Sequence, residues 1–390
     1  MIRYLTAGES HGKGLSVIVD GFPSNLEIKK NDIDLYLAER QKGFGRGGRQ
    51  KIENDKSEII SGIRFGKTTG APISIFIKNY DYDNWKELLS AEDGFAEELN
   101  IPRPGHADLA GGIKYGHHDF RNVLERASAR ETAARVVVGA LCKKFLLQFG
   151  IDVFGYVVDI GGIDTDVDEG LSIKEIKKKI EIVDNKTGVY LKFPDIKKAN
   201  LIINKIEKAK KEGDTIGGTV KVITSKLPAG LGDYTQWDKK LDANIAKAII
   251  SIQAFKGIEF GAGFSYSKYF GSEIHDEIFY SKQNGFFRKT NNAGGIEGGM
   301  TNGEPIIVKA VVKPISTVLK GLNSVNVRNK KKTKTKYERS DICAVPAASL
   351  IAEMALAIEI ANAFLNKFGS DDIEFIKENY KNYLKYLKRY

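Results

Sequence analysis

Short runs rich in Val, Ile and Leu at residues 2–6 and 14–20, split by a glycine-punctuated loop, predict two strands. Residues 31–41 predict a helix with Asn31 as its N-cap. Apolar runs at 57–65 and 71–78 predict a hairpin turning at Thr68-Thr69-Gly70, and the two prolines and four glycines of 100–120 predict a long loop. Ala- and Val-rich sequence predicts a long helix at 126–148, stopped by Gly150. Charged helices at 172–183 and 195–212, a strand at 215–226, a helix at 239–253, a strand at 305–313 and closing helices at 348–366 and 371–390 follow. Strands and helices are interspersed without regular βαβ alternation, so the pattern predicts an α+β fold and not a doubly wound sheet.

The order of punctuation recurs. A strand ends at Gly21-Phe22-Pro23, a helix follows, then Lys42-Gly43, then Gly70-Ala71-Pro72-Ile73 opens a strand. The second half repeats this with Leu227-Pro228, Lys256-Gly257 and Gly303-Glu304-Pro305-Ile306, at offsets of 205, 214 and 233 residues. An internal duplication is expected, with halves of about 1–150 and 151–390 sharing one core in a single domain over 1–390.

Composition narrows the classes. Of 390 residues, 42% are apolar, enough for a core and against a disordered chain. Apolar runs such as 136–142 fall short of the ~18 residues that cross a bilayer, and the charged, polar start is unlike a signal peptide; no membrane partner is expected. Cys142 and Cys343 are the only cysteines, which excludes a disulfide scaffold and a cysteine-based zinc site and fits a reducing cytoplasm. No metal site is expected. The net charge of +10 is concentrated in 328–339, which holds seven Lys/Arg and one Glu. That loop reads as a solvated surface. Its rival reading, a nucleic-acid contact, lacks the aromatic platforms of single-strand binding, since only Tyr337 interrupts it.

Two glycine motifs mislead. Gly43-Phe44-Gly45-Arg46-Gly47-Gly48 matches G-x-G-x-x-G but follows a helix, the reverse of a dinucleotide-binding turn. Ser61–Thr68 nearly matches a P-loop but leads into Thr69-Gly70-Ala71-Pro72, which cannot start the required helix. Histidines carry more. His275 reads as a surface side chain and the adjacent His117 and His118 as a poor metal pair. His11 in Gly8–Gly12 and His106 in Arg103–Asp108 sit in Gly/Pro-rich loops, where an imidazole titrating near ~6.5 can shuttle protons. Arg40, Arg46 and Arg49 flank the first glycine loop, Arg126, Arg130 and Arg135 open the long helix, and Arg339 lies near Asp341. In a lysine-rich chain, arginines beside glycine loops suit a small, highly anionic ligand.

The motifs GESHG (8–12), RPGHAD (103–108), KYGHHDFRN (114–122), ERASARETAAR (125–135), NNAGGIEGG (291–299) and ERSDICAVPAA (338–348) resemble chorismate synthases along essentially the whole chain. The resemblance implies a β-α-β sandwich of antiparallel sheets around helices, usually a homotetramer. It implies 1,4-anti elimination of phosphate from 5-enolpyruvylshikimate-3-phosphate, with reduced FMN required and NADPH a possible reductant. By family position His11 protonates the departing phosphate, His106 serves the reduced flavin, and Asp341 helps its nitrogen five accept the substrate proton. The flavin would lie against Arg126, Ala127, Ser128, Gln253, Ala254, Gly298, Lys313, Pro314, Ile315, Ser316, Thr317 and Arg339. Substrate or NADP would meet Ser10, Arg40, Arg46, Arg49, Arg130 and Arg135. Ser340, Ile342 and Ala347 depart from the commonest family form, which has His, Pro and Arg there. An NADPH-dependent flavin oxidoreductase is the enzymatic alternative.

Overall fold

In the computed structural model, which describes residues 1–48, 53–165, 167, 170–335 and 340–390, alternating apolar positions become the inner faces of two sheets. The first half runs β1 (Arg3–Ala7), β2 (Gly14–Asp20), α1 (Lys30–Gln41), β3 (Ser57–Ser61), a two-rung hairpin of β4 (Ile63–Arg64) and β5 (Lys67–Thr68), β6 (Ile73–Lys78), α2 (Asp108–Tyr115), α3 (Arg121–Ala127) and α4 (Thr132–Leu147). The second runs β7 (Val153–Ile160), β8 (Ile163–Asp164), α5 (Ile173–Thr187), α6 (Ile196–Lys211), β9 (Gly218–Lys226), α7 (Leu241–Ile250), β10 (Phe255–Phe260) and α8 (Gly271–Ile274). It continues with hairpins β11 (Ile278–Ser281)/β12 (Gly285–Arg288) and β13 (Ile296–Glu297)/β14 (Met300–Thr301), then β15 (Pro305–Val312). Hairpin β16 (Asn323–Val325)/β17 (Lys332–Lys334), α9 (Val345–Phe368) and α10 (Ile373–Leu387) complete it.

The antiparallel sheet orders are β1-β2-β6-β3 and β10-β15-β9-β7-β8. Reading β7, β9, β15 and β10 for β1, β2, β6 and β3, the two halves place strands in the same sheet order, with a helix after the second strand and another after the last. The β-α-β sandwich follows from which faces are apolar. Leu15, Val17 and Val19 of β2 and Ile73, Ile75 and Ile77 of β6 are buried, as are Val220 and Val222 of β9 and Ile306, Val308 and Ala310 of β15. Both inner faces close on the layer of α1, α4, α7 and α9. Glycine permits the closest approaches: a Cβ on Gly139 of α4 would lie 2.3 Å from Met354 Cβ of α9, and one on Gly155 of β7 2.2 Å from the Ser349 carbonyl oxygen. Helix α9 is long and apolar enough to cross a membrane by length and composition. The short-run reading missed this because Glu353 and Glu359 interrupt it. Here it is sandwiched between α4, α7 and the second sheet. Within this layer Lys143 donates to the Val153 carbonyl (2.7 Å) and pairs with Glu353, which also meets Lys192 and accepts from Gly155 N–H.

A matched latch marks both halves. Thr68 Oγ donates to the Pro23 carbonyl (2.6 Å) and accepts from Leu26 N–H (3.0 Å); Thr301 Oγ donates to the Pro228 carbonyl (2.7 Å) and accepts from Leu231 N–H (2.8 Å). Each threonine ends a tiny hairpin, paired with Ile63 in one and Ile296 in the other.

Several predicted boundaries move. The α1 N-cap is Lys29, whose backbone N–H is held by Asp32; Asn31 lies inside the helix. The first hairpin reverses at Phe65-Gly66, both at positive φ, so that Thr68 is free to latch. The 100–120 stretch contains α2, because its glycines close the helix at Gly116 (φ 70°) without preventing it. The 126–148 helix is broken at Ser128, and the 239–253 helix ends at Ile250. Strands β7 and β10 were not anticipated.

Thr68→Val and Thr301→Val are each expected to lower stability by about 1–3 kcal/mol, since each strands a buried carbonyl and a buried N–H; urea unfolding reads this, and a loss at one site alone would show the latches unequal. Burial pushes Glu359 up to about 7. Its folded pKa thus exceeds the ordinary 4.5, so it destabilises progressively as pH rises from about 4.5 to 7. Glu359→Gln should raise stability by roughly 1–3 kcal/mol at pH 8 and hardly at pH 4.5, read as melting temperature against pH.

Candidate active site

The break at Ser128 makes the site. Its side chain accepts from Arg130 N–H, capping a short 3-10 turn (Ala129–Glu131), and its extended backbone (φ −62°, ψ 142°) stops α3 from running into α4. Ser128 Oγ then meets Ser10 Oγ at 3.0 Å, joining this break to the 8–12 loop. The S-x-x-E pattern of Ser128–Glu131 is the sequence signal that predicts such a start. A cavity of about 780 Å3 opens here, within the range of cofactor sites. Ser10, His11, Arg40, Arg46, Ala127, Ser128 and Arg130 line it from the first half, with His106. The second half contributes Gln253, Ala254, Lys313, Ile315, Ser316, Thr317 and Asp341.

The arginines are partly neutralised. Asp55, fully buried, binds Arg40 Nη2 (2.7 Å) and Arg130 Nη1 (2.6 Å). Arg130 also donates to Asn79 Oδ1 (2.7 Å), and the Asn79 amide holds the carbonyls of Glu9, Ser10 and Gly12. Burial brings Arg40 down to about 10 against the pull of Asp55, so it stays charged at neutral pH. Burial would raise Asp55, but Arg40 and Arg130 outweigh it and hold it below the usual carboxylate range. Arg46 pairs with Asp341 (3.2 Å), whose other oxygen accepts from Gly47 N–H (2.6 Å). The first glycine loop is thus tied to the start of α9, with Ile342 N–H on the Gly45 carbonyl. Arg40 Nε, Arg46 Nε and Gln253 Oε1 are buried without a partner among the described residues.

Each loop histidine has a carboxylate. His11 Nδ1 lies 2.8 Å from Glu125, and its ring stacks on Trp85. His106 Nδ1 lies 2.5 Å from Asp108, which also takes Arg103 through Nε (2.8 Å). Burial would raise Asp108, but the bonds from His106 and Arg103 outweigh it and hold it far below the usual range. Lys313 bonds the Gly105 carbonyl beside His106; burial, and then Lys256, lower its pKa.

Not every expected residue reaches this cavity. Arg126 donates to Thr6 and Gly8, and Arg135 pairs with Glu131 (3.1 Å); both line a smaller neighbouring cavity with Tyr4 and Thr6. Pro314 is exposed and is not among the lining side chains. Gly298 sits in the β13–β14 turn, exposed and away from it. Arg49 and Arg339 lie outside the described residues. His117 stacks on Tyr115 and His275 is exposed; neither lines the cavity. The sequence reading missed Asp55, Asn79, Trp85, Arg103, Asp108 and Glu125. Arg103 and Asp108 lie in the RPGHAD motif and Glu125 opens ERASARETAAR, but Asp55, Asn79 and Trp85 carry no local signal.

Sandwich and cavity together have the form of an enzyme site for a small molecule. A family model described as chorismate synthase matches residues 2–365. The chain is 49% identical over 403 residues to a chorismate synthase of Geotalea uraniireducens, with all of both chains covered. It is 51% identical to one of Sulfurihydrogenibium sp., covering 98% of each. A solved structure titled "Crystal Structure of Chorismate Synthase" superposes with a TM-score of 0.80 at 40% identity, covering 100% of this chain and 99% of that one. The chain belongs to the chorismate synthase family.

Asp55→Asn removes the shared counter-charge of Arg40 and Arg130, and is expected to cost about 3–5 kcal/mol. Millimolar phosphate should restore part of it by occupying the bared guanidiniums. Thermal melts with and without phosphate check this; an unshifted variant would show that Asp55 is not what neutralises them.

Proposed function

We propose that this cavity carries the chorismate synthase reaction: 1,4-anti elimination of phosphate from 5-enolpyruvylshikimate-3-phosphate. The observation that carries the reading is one cavity holding two carboxylate-backed histidines and the cations Arg40, Arg46, Arg103, Arg130 and Lys313, in a chain of this family. The C–O bond to phosphate and a ring C–H bond break; phosphate and a proton leave, and the ring gains a conjugated diene. The enzyme is a carbon–oxygen lyase of aromatic amino-acid biosynthesis.

Reduced FMN is the cofactor this reading requires. The unpartnered Arg40 and Arg46 Nε–H groups suit anionic oxygens, and Gln253 Oε1 suits a ring N–H, so the donor set fits a phosphate-bearing flavin beside a second anion. Ala127, Ser128, Gln253, Ala254 and Lys313–Thr317 would hold it, and it supplies the electron chemistry that the side chains cannot. His11 delivers a proton to the departing phosphate; His106 would hold a proton toward the reduced flavin; Arg40, Arg46 and Arg130 orient the carboxylates and phosphate. Asp341, braced by Gly47 N–H and Arg46, takes part in removing the ring proton. We further propose a cytoplasmic homotetramer in which the exposed Gly298 turn serves the site of another copy. The flavin oxidoreductase and nucleic-acid readings are not favoured by family membership; NADPH remains a candidate reductant at Arg40 and Arg46.

An anaerobic assay with reduced FMN and substrate, reading chorismate and phosphate together, tests this; equal yields are expected, and unequal ones exclude an elimination. A parallel arm with oxidised FMN and NADPH reports whether the chain reduces its own flavin. His11→Ala and His106→Ala should each fold and slow turnover about 10²- to 10⁴-fold, with both products falling in step; wild-type rates would remove the histidine from the chemistry.

A further inference from the structure

We propose that Glu125 is the positioning residue of His11: it fixes the imidazole with its proton on Nδ1, while Trp85 fixes the ring plane. This deepens the reading of His11 as the proton donor and rests on it.

Glu125 is 3% exposed, in the last turn of α3. It ties down the 8–12 loop three times. Its carbonyl accepts from Ser10 N–H at 3.0 Å, Oε2 accepts from His11 N–H at 2.7 Å, and Oε1 meets His11 Nδ1 at 2.8 Å. Backbone and ring of one residue are therefore gripped by one carboxylate. A carboxylate only accepts hydrogen bonds, so Nδ1 must carry the proton. The ring cannot swing about its own axis, because the Trp85 ring stacks on it at 4.0 Å and 26°. Trp85 is in turn anchored through its indole N–H to Asp81 (3.1 Å), and Arg121 lies over the indole.

The second histidine is held differently, which sharpens the assignment. Asp108 faces His106 but also takes the Nε, Nη2 and backbone N–H of Arg103. Among the described residues no arginine or lysine pairs with Glu125. Its charge is thus left to His11, which suits a residue that must carry and then release a proton next to a leaving anion.

Glutamine at 125 makes the test sharp. An amide has one acceptor oxygen and one donor NH2. With the oxygen on His11 N–H, the NH2 faces Nδ1 and demands the opposite tautomer. Solid-state 15N NMR of the full chain labelled at histidine, with His11→Ala assigning the signal, reads the tautomer at alkaline pH. Wild type should show Nδ1–H and Glu125→Gln should move to Nε2–H. Chorismate formation by Glu125→Gln should fall roughly ten- to a hundredfold in kcat with KM little changed, and should fall no further in a His11→Ala background. The neutral Nε2–H tautomer in wild type overturns the proposal without any variant having to fold. So does an equal loss from Glu125→Gln with and without His11. A wild-type rate for His11→Ala would instead overturn the proton-donor reading, leaving the tautomer result to judge Glu125 by itself.

Discussion

Arg40 and Arg130 are 4% and 7% exposed, and both close on Asp55, which has no exposed surface. Two guanidiniums out of water beside each other repel and lose hydration; a cavity built to receive anions would not survive empty without a counter-charge. Asp55 supplies it, and Asn79 carries the same restraint from Arg130 to the carbonyls of the 8–12 loop. The placement of Ser10 and His11 therefore depends both on Glu125, which binds them directly, and on Asp55, a carboxylate outside the cavity lining. On the proposed reading, an arriving anionic substrate meets fixed, half-neutralised cations that need little reorganisation, the condition under which electrostatic catalysis works.

The second organising feature is the shared helical layer. Neither sheet buries its inner face alone; each needs α4 and α9, which approach closely at Gly139. The cavity lies where the two halves meet, and each supplies part of it. Ser10, His11, Arg40 and Arg130 come from one, Gln253, Lys313 and Asp341 from the other. The interruption at Ser128 is what opens this seam: a continuous helix would satisfy its own backbone and leave Ser128 Oγ no reason to reach Ser10.

The amphipathic runs of β2, β6, α5, α6 and α10 were legible because each depends on periodicity within a few turns or rungs, and α9 because it is apolar nearly throughout. His11 and His106 were legible because Gly/Pro-rich loops expose side chains, and the family motifs held nearly half of the lining. Arg126 and Arg135, which the resemblance places at the ligand, line the neighbouring cavity. Their density near a helix start was real, but Thr6, Glu131 and Ser251, distant or unremarkable in sequence, already occupy them.

The linear pattern set strands β1, β2, β3, β6, β9 and β15 and the long helices, the recurrence of Pro23 and Pro72 as Pro228 and Pro305, and the residue types that the chemistry needs. Which buried polar group meets which followed from the folded chain alone. Asp55 reaches Arg130 across 75 positions, Lys143 reaches Glu353 across 210 and Gly47 reaches Asp341 across 294. Secondary structure is set by neighbours along the chain, whereas a buried charge is stable only beside its opposite, and that pairing is chosen by packing.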